Sequence, residues 1–294
     1  MLIGRFSPSP TGPLHFGSLL AALASYLEAK KNQGKWLVRM EDLDKPREMQ
    51  GAASQILNTL EAFGFEWDGE VVYQSKRNDL YQEALKQLDK ALLIYRCKCS
   101  RKEIADSATQ GIDGLVYPGT CRRLSIQQTP FASRVRVNNQ VISFNDLIQG
   151  KIIQNLATQV GDFVLKRADG LFAYQLAVVV DDEIQGITQI VRGADLLDST
   201  PRQIYLQQQL RYTTPEYAHI PVASNRAGEK LSKQTLAQAI DIKQAPLLLI
   251  QALIFLGQQP PADLAKQSRQ DVLNWALAHW QLKKVPKQRS IIFE

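Results

Sequence analysis

The hydrophobic positions near the start of the chain form two short runs with a helical pattern between them. Residues 2–6 and 36–40 are mostly apolar, as in short buried strands, whereas leucines recur three or four positions apart in residues 19–27. Three prolines in residues 7–13 predict a loop before that helix, because proline lacks an amide donor. A strand, a helix and a second strand in this order predict a parallel α/β sheet.

Longer helical patterns cover residues 48–63 and 78–94. We expect a hairpin between residues 134–137 and 141–144, because the asparagines between them tolerate the positive φ of a tight turn. The parallel sheet is expected to resume in the apolar runs at residues 163–166, 173–180 and 189–192. After residue 240, prolines divide the chain into two or three short helices.

These patterns predict an α/β protein in which an insertion interrupts one Rossmann-like domain. The expected parts are a nucleotide-binding, catalytic domain in residues 1–94 and 173–240, the insertion in residues 95–172, and a short helical region in residues 241–294. Ligands of parallel sheets bind beyond the carboxyl ends of the strands. The proline-rich loop and Glu41 both fall at such ends, so we expect them to face a ligand.

Composition and charge narrow the classes of protein that remain. Hydrophobic residues make up 45% and charged residues 22% of the 294 positions, which excludes wholesale disorder. The 35 Lys and Arg exceed the 29 Asp and Glu, and the net charge of +6 favours a polyanionic partner. Three cysteines indicate a reducing, cytoplasmic location. No apolar run is long enough to predict a membrane span, and the apolar stretch at residues 19–25 continues as a helix rather than a secretory signal.

The first feature that carries chemistry is the triplet from His15 to Gly17, where the proline-rich loop becomes a helix. A helix amino terminus presents unpaired amides and a partial positive charge, and both favour a phosphate group. His15 adds a hydrogen-bond donor, and Gly17 has no side chain to obstruct a base or ribose. Taken alone, a histidine in a helix is more often a structural residue.

The second feature is KLSKQ at residues 230–234, after a glycine-containing segment. Lys230 and Lys233 could close over a triphosphate and stabilise the charge that develops on a departing pyrophosphate. A solvated basic loop is the alternative interpretation of the same two lysines.

The third feature is a group of thiols in the expected insertion, Cys97, Cys99 and Cys121, together with Tyr117. Thiolates with this spacing can hold one Zn²⁺, and Tyr117 is the candidate for the fourth ligand. Four protein ligands leave no position for water, so such a site would be structural. Three unrelated thiols are the alternative.

Together these motifs resemble the class I glutamyl-tRNA synthetases. RFSPSPTGPLHFGS at residues 5–18 is similar to that family's signature with its His-Ile-Gly-His-type element, and residues 230–234 resemble its Lys-Met-Ser-Lys-Ser loop. RMEDLD at residues 39–44 and the stretch from IVRGAD to STPRQ at residues 190–203 follow the same family in the same order. The resemblance covers residues 2–240.

The resemblance implies a ligase that joins glutamate to the AMP part of ATP, with Mg²⁺ accompanying the ATP. It assigns catalysis to His15, Gly17, Lys230 and Lys233, ATP binding to these four residues and Asp195, and glutamate binding to Arg5, Ser7, Ser9, Glu41, Tyr174 and Arg192. The residue types agree, because an arginine fork matches a carboxylate and a glutamate side chain can hold an ammonium group. Alternatively, Arg5 or Arg192 is an ordinary ion-pair partner of Asp42 or Asp195.

We expect no anticodon-reading helical half, for which residues 241–294 are too few. Together with the thiol group, this resembles the glutamyl-queuosine tRNA(Asp) synthetase family. That resemblance implies transfer of glutamate to queuosine at the wobble position of tRNA(Asp), with L-glutamate and ATP as the other substrates and no stable protein partner. Three alternatives stay open: a short synthetase that charges the 3′ end of tRNA(Glu), a ligase with a small-molecule acceptor, and a tRNA-binding module without activity.

The expected insertion is also basic. Arg122, Arg123, Arg134 and Arg136 are candidates for contact with RNA phosphates. A solvated basic surface explains the same four residues equally well.

Overall fold

The computed structural model describes residues 1–112, 114–226 and 239–293, and its first segment builds a parallel sheet. The elements of this segment are β1 (Ile3–Phe6), α1 (Phe16–Lys31), β2 (Lys35–Met40), α2 (Ala52–Ala62), β3 (Val72–Tyr73) and α3 (Asn78–Lys90). Strand β2 lies between β1 and β3 and is parallel to both. The predicted strand–helix–strand order is therefore confirmed.

Helix α1 is the centre of the larger hydrophobic core. Its four predicted leucines are at most 1% exposed, and it packs on the sheet on one side and on the last helices of the chain on the other. Buried polar groups on α1 are satisfied by tryptophans: Trp36 donates to Ser25, and Trp280 donates to Glu28. Lys30 and Lys31 occupy the last turn, where a positive charge complements the helix dipole.

The second segment forms a separate antiparallel arrangement. Its elements are β4 (Ile94–Cys97), α4 (Arg101–Ser107), β5 (Thr109–Gly111), β6 (Gly114–Val116), β7 (Ala132–Val135), β8 (Val141–Asp146), β9 (Gly150–Asn155), α5 (Leu156–Gln159) and β10 (Val164–Lys166). Strand β7 lies between β4 and β10, while β5 pairs with β6 and β8 with β9. The limits predicted for the insertion and the other domains stay predictions.

The hairpin predicted around Asn138 and Asn139 is wrong, because β7 and β8 do not pair. Asn138 instead accepts the amide of Gln140 in a local turn that leads out of one sheet and into a new hairpin. The hairpin turn lies after Asp146, whose carboxylate accepts the amides of the next turn residues, and before Gly150, which has a φ of +81°.

The third segment returns to parallel pairing. It contains α6 (Tyr174–Ile184), β11 (Gln189–Gly193), a 3₁₀ helix (Ala194–Ser199), α7 (Thr200–Leu210), β12 (Glu216–Ile220) and β13 (Val222–Ser224). Strand β11 is parallel to β12 and lies beside β1, because Ile3 and Thr188 exchange two hydrogen bonds. The predicted strand at residues 189–192 is confirmed.

Two of the three runs expected to resume the parallel sheet do not do so. Residues 174–180 belong to helix α6, with Ala173 as its N-cap, and residues 164–166 form β10 of the antiparallel sheet. Helix α6 is buried along nearly its whole length, so its valine-rich sequence has no polar face to reveal the helical period.

The last described segment packs against α1. It contains α8 (Ala245–Phe255), α9 (Arg269–His279) and β14 (Ser290–Ile292), and β14 adds in parallel to β13. No helix within the described ranges combines the length and the apolar character that a membrane crossing requires.

Candidate active site

A cavity of about 660 Å³ opens at the carboxyl ends of β1, β2, β11 and β12. It is lined by every described residue that the sequence assigned to catalysis or to glutamate or ATP binding: Arg5, Ser7, Ser9, His15, Gly17, Glu41, Tyr174, Arg192 and Asp195. Lys230 and Lys233 lie outside the described residues. The fold thus brings separate stretches of the chain to one cavity, whereas the role of each residue stays a prediction.

The amino terminus of α1 points at this cavity. His15 is the N-cap residue, with an extended backbone that turns the chain from the proline-rich loop into the helix, and Gly17 lies in the first turn. Ala239 forms a β-bridge with His15, and the amide of Ile240 donates to Leu14. The chain therefore re-enters the described structure beside His15, directly after the segment that carries Lys230 and Lys233.

Arg5 reaches the cavity from the end of β1 and is only 4% exposed. Its Nε and Nη2 atoms donate to the two carboxylate oxygens of Asp182 at 3.2 and 3.4 Å. Nη2 of Arg39 lies 2.8 Å from Oδ1 of Asp182 in a salt bridge, and the charges of Arg5 and Arg39 hold the pKa of the Asp182 carboxyl below the ordinary value, despite its burial. Asp182 thus fixes the plane of the Arg5 guanidinium at the cavity wall.

A second buried carboxylate, Asp181, completes this charge network behind the wall. It accepts hydrogen bonds from Gln74, Arg77 and Tyr81 at 2.8, 2.6 and 2.8 Å. The network joins β2 and α3 to α6, so it rigidifies the cavity at the boundary between distant parts of the chain.

Glu41 follows directly on β2, and its carboxylate lies 3.6 Å from Nη2 of Arg39. Burial raises the pKa of Glu41 to about 7, although the nearby charges of Arg39 and Arg5 lower it. A cation that binds beside this buried carboxylate stabilises its ionised form, because the electrostatic attraction offsets the hydration that burial removed.

Arg192, which also lines the cavity, is held by a different kind of partner. Its guanidinium donates to Nε2 of His219 at 3.0 Å, to Thr200 and Gln203 at 2.8 Å each, and to Tyr174 at 3.3 Å. Among the described residues, no carboxylate oxygen lies within 4.0 Å of this guanidinium. Arg192 is therefore a buried cation with neutral partners.

The partners of the two arginines differ from the two aspartates that the sequence suggested as ion-pair partners. Arg5 pairs with Asp182 rather than with Asp42, which instead accepts the amide and hydroxyl of Ser75. Asp195 is exposed at the cavity rim, two residues after Gly193. A side chain at Gly193 would meet the Asp195 carboxylate, which would then have to move.

The three cysteines form one cluster at the end of β4 and in the loop after β6. Their sulfur atoms all lie within 4.8 Å of one another, and the Tyr117 hydroxyl lies 3.4 Å from the sulfurs of Cys97 and Cys99. Zn–S bonds of about 2.3 Å place tetrahedral sulfurs about 3.8 Å apart, so this geometry fits a zinc ion. The chemistry of the donor set, three thiols and a phenol, also suits Zn²⁺.

Three of the four arginines proposed for RNA contact also make contacts within the insertion. Arg122 binds Asp162 and the carbonyl of Val137. Arg134 is buried, donates to the carbonyl of Asp162 and stacks on Tyr117 with its guanidinium carbon 3.9 Å from the ring centre. Arg136 donates to the carbonyl of Arg122 and lies over the ring of Tyr95. Arg123 is exposed.

Five residues that organise the site were not among the predicted site residues: Arg39, Asp146, Asp181, Asp182 and His219. A signal for two of them was present, because the apolar run that becomes α6 ends in two consecutive aspartates, and buried acids require cationic partners. The contact between Asp146 and His219 joins residues 73 positions apart and has no local sequence signature.

Comparison with known proteins places these features in a family. The family model described as tRNA synthetases class I (E and Q), catalytic domain, matches residues 1–286. A Glutamyl-Q tRNA(Asp) synthetase from Dechloromonas aromatica is 60% identical over 292 residues, which cover 98% of this chain and 97% of that protein. A protein with the same name from Neisseria meningitidis serogroup A is 57% identical over 293 residues, 98% of each chain.

Solved structures agree with the fold. A glutamate-tRNA synthetase from Elizabethkingia anophelis superposes with a TM-score of 0.82 and 26% identity, covering 100% of this chain and 68% of that chain. A glutamate tRNA ligase from Elizabethkingia meningosepticum, solved in complex with its amino acid, gives a TM-score of 0.81 and 25% identity, covering 100% of this chain and 67% of that chain. These similarities confirm the resemblance to class I glutamyl-tRNA synthetases that the sequence motifs indicated.

Proposed function

The chain belongs to the class I tRNA synthetases (E and Q), and from that premise we propose that it activates L-glutamate with ATP and transfers the glutamate to queuosine at the wobble position of tRNA(Asp). The residues that line the cavity support the choice of glutamate as the amino acid that is activated. Arg5 and Arg192 offer two guanidinium groups, and Glu41 offers a carboxylate. This set complements the two carboxylates and the ammonium group of glutamate.

In the first step, the α-carboxylate of glutamate attacks the α-phosphorus of ATP and pyrophosphate leaves. A carboxylate is ionised at neutral pH, so this step needs alignment and charge stabilisation rather than a general base. We assign the phosphate oxygens to His15 and the first amides of α1, and the pyrophosphate to Lys230 and Lys233. Mg²⁺ accompanies ATP, bound mainly by its phosphates. In the second step, a hydroxyl of queuosine attacks the activated carbonyl carbon and AMP leaves.

The acceptor is supported by the names of relatives that match 98% of the chain at 57% and 60% identity. The test is to incubate the protein with ATP and labelled glutamate in the presence of tRNA(Asp) with queuosine, tRNA(Asp) without it, and tRNA(Glu). We expect label only on the first, in the anticodon fragment after nuclease digestion. Label on the 3′-terminal adenosine of tRNA(Glu) would instead indicate a short glutamyl-tRNA synthetase, and label on a small molecule a different ligase.

We also propose that Cys97, Cys99, Cys121 and Tyr117 hold one Zn²⁺ ion, which would cross-link the start and the middle of the insertion. The ion would be structural, because the four ligands occupy its tetrahedral positions and the cluster is not part of the cavity lining.

A further inference from the structure

The buried pair of Asp146 and His219 lies directly behind the cavity wall and has no role in the proposed chemistry. The side chain of His219 is fully buried on β12, and His219 is not among the described residues that line the cavity. Its Nδ1 atom lies 2.6 Å from Oδ2 of Asp146, and its Nε2 atom receives the Nε–H of Arg192 at 3.0 Å. Asp146, His219 and Arg192 therefore form a chain that ends at the cavity.

This geometry determines the protonation of the imidazole. Arginine Nε can only donate, so Nε2 of His219 must present its lone pair to Arg192. The carboxylate of Asp146 can only accept when ionised, so the hydrogen of the ring resides on Nδ1. Burial and the adjacent charge of Arg192 agree with a neutral ring, because they lower the pKa of His219 to about 4 against the opposing effect of Asp146.

Within residues 1–112, 114–226 and 239–293, the same arrangement leaves the charge of Arg192 without a contacting counter-ion. Its partners are an imidazole, a phenol, a hydroxyl, an amide and the carbonyl of Leu196, all of them uncharged. The negative charge of Asp146 is kept one imidazole ring away. Arg5, in contrast, is paired directly with Asp182.

We propose that His219, held in one tautomer by Asp146, is a positioning residue that fixes Arg192 while leaving its positive charge available to a carboxylate of the substrate. This inference rests on the proposed function, since it takes glutamate as that substrate. A carboxylate in direct contact with Arg192 would hold the arginine equally well but would compete with the ligand. A neutral acceptor avoids this competition, and so favours an anionic amino acid over its amide.

The test compares three variants by glutamate-dependent ATP–pyrophosphate exchange, with thermal unfolding as the check on folding. In His219→Gln the amide oxygen can still accept from Arg192, so we expect the KM for glutamate to stay within about fivefold of the parent. His219→Glu places a carboxylate against Arg192 and should raise the KM for glutamate at least about 30-fold, with the KM for ATP unchanged. His279→Gln, an exposed histidine on α9, is the matched control and should change nothing.

Asp146→Asn tests the positioning role of His219 without adding a charge beside Arg192. It permits the opposite tautomer, in which Nε2 carries a hydrogen and opposes the Nε–H of Arg192, so the KM for glutamate should rise about tenfold. In the double variant that also carries His219→Gln, the Asp146→Asn change should raise the KM for glutamate little further, because a glutamine side chain has no alternative tautomer.

The outcomes are distinct. Parent-like glutamate KM values in His219→Glu and Asp146→Asn, or an equal loss for ATP and glutamate with lowered unfolding temperature, would overturn the positioning role. A parent protein that shows no glutamate-dependent exchange would overturn the proposed function first.

Discussion

At the scale of single residues, the two arginines that line the cavity differ in the charge of their partners. Arg5 is neutralised through Asp182, whereas Arg192 has neutral partners, and Glu41 is buried close to Arg39. Each side chain alone is an ordinary arginine or glutamate. Burial and neighbours give them the properties that a binding site for a zwitterionic, acidic ligand requires.

One prediction concerns the titration of Glu41. Its pKa of about 7 lies above the ordinary value, so the carboxyl is protonated at lower pH and loses its attraction for an ammonium group. We expect kcat/KM for glutamate in ATP–pyrophosphate exchange to fall as the pH decreases through about 7. Glu41→Gln should lower kcat/KM about 100-fold and remove this inflection. An unchanged pH profile in that variant would assign the titration to another group.

At the scale of elements, the last strand is tied to the amino terminus of α1. Phe293, which follows β14, stacks on Phe16 in the first turn of α1, with ring centres 3.9 Å apart, and meets Phe255 of α8 edge-on. The C-terminal region therefore supports the helix end that lines the cavity.

Phe293→Ala should remove this support. We expect the free energy of unfolding to fall by about 1–3 kcal/mol, because a partly buried aromatic contact is lost. Urea unfolding measures the change. Ile292→Ala is the matched control: this neighbouring side chain is 58% exposed, so its removal should cost less than about 0.5 kcal/mol. Equal effects of the two changes would contradict the role of the stack.

The insertion provides a second prediction at this scale, on metal binding. We expect about one zinc per chain by elemental analysis of protein purified without chelator. Cys121→Ser should lose the metal, whereas Tyr117→Phe should keep the stoichiometry but release zinc to a competing chelator more readily, since three thiolates remain. A parent protein without zinc would contradict the assignment of the cluster.

At the scale of the whole molecule, buried charges hold together stretches that are distant in sequence. Arg39 on β2 is fully buried and contacts Asp182 at 2.8 Å and Gln185 at 2.7 Å, both near the carboxyl end of α6. These contacts connect the first parallel strands to the segment that follows the insertion.

Arg39→Met should therefore destabilise the whole protein. It leaves Asp181, Asp182 and Glu41 without a shared cation, and we expect a loss of about 3–5 kcal/mol in the free energy of unfolding. Chemical denaturation measures this loss. Lys86→Ala is the control, because Lys86 and Glu83 form an exposed pair on α3 whose loss should cost less than about 1 kcal/mol. Similar values for the two variants would contradict the importance of the buried network.

The sequence alone determined the features that depend on neighbouring residues. Prolines ended β1, leucine spacing marked α1, and the motifs indicated the family and the residues that line the cavity. These signals are local, because backbone restriction and helical period act over a few positions.

Only the tertiary structure decided the features that depend on residues distant in the sequence. It made a helix of the valine-rich run at residues 174–180, moved the hairpin turn to Asp146, and buried Arg134, one of the four arginines proposed for RNA contact. It also paired Arg5 with Asp182 and Arg192 with His219. Each of these outcomes depends on which distant side chain or surface a residue meets, and burial, ion pairing and tautomer choice follow from that encounter rather than from local sequence.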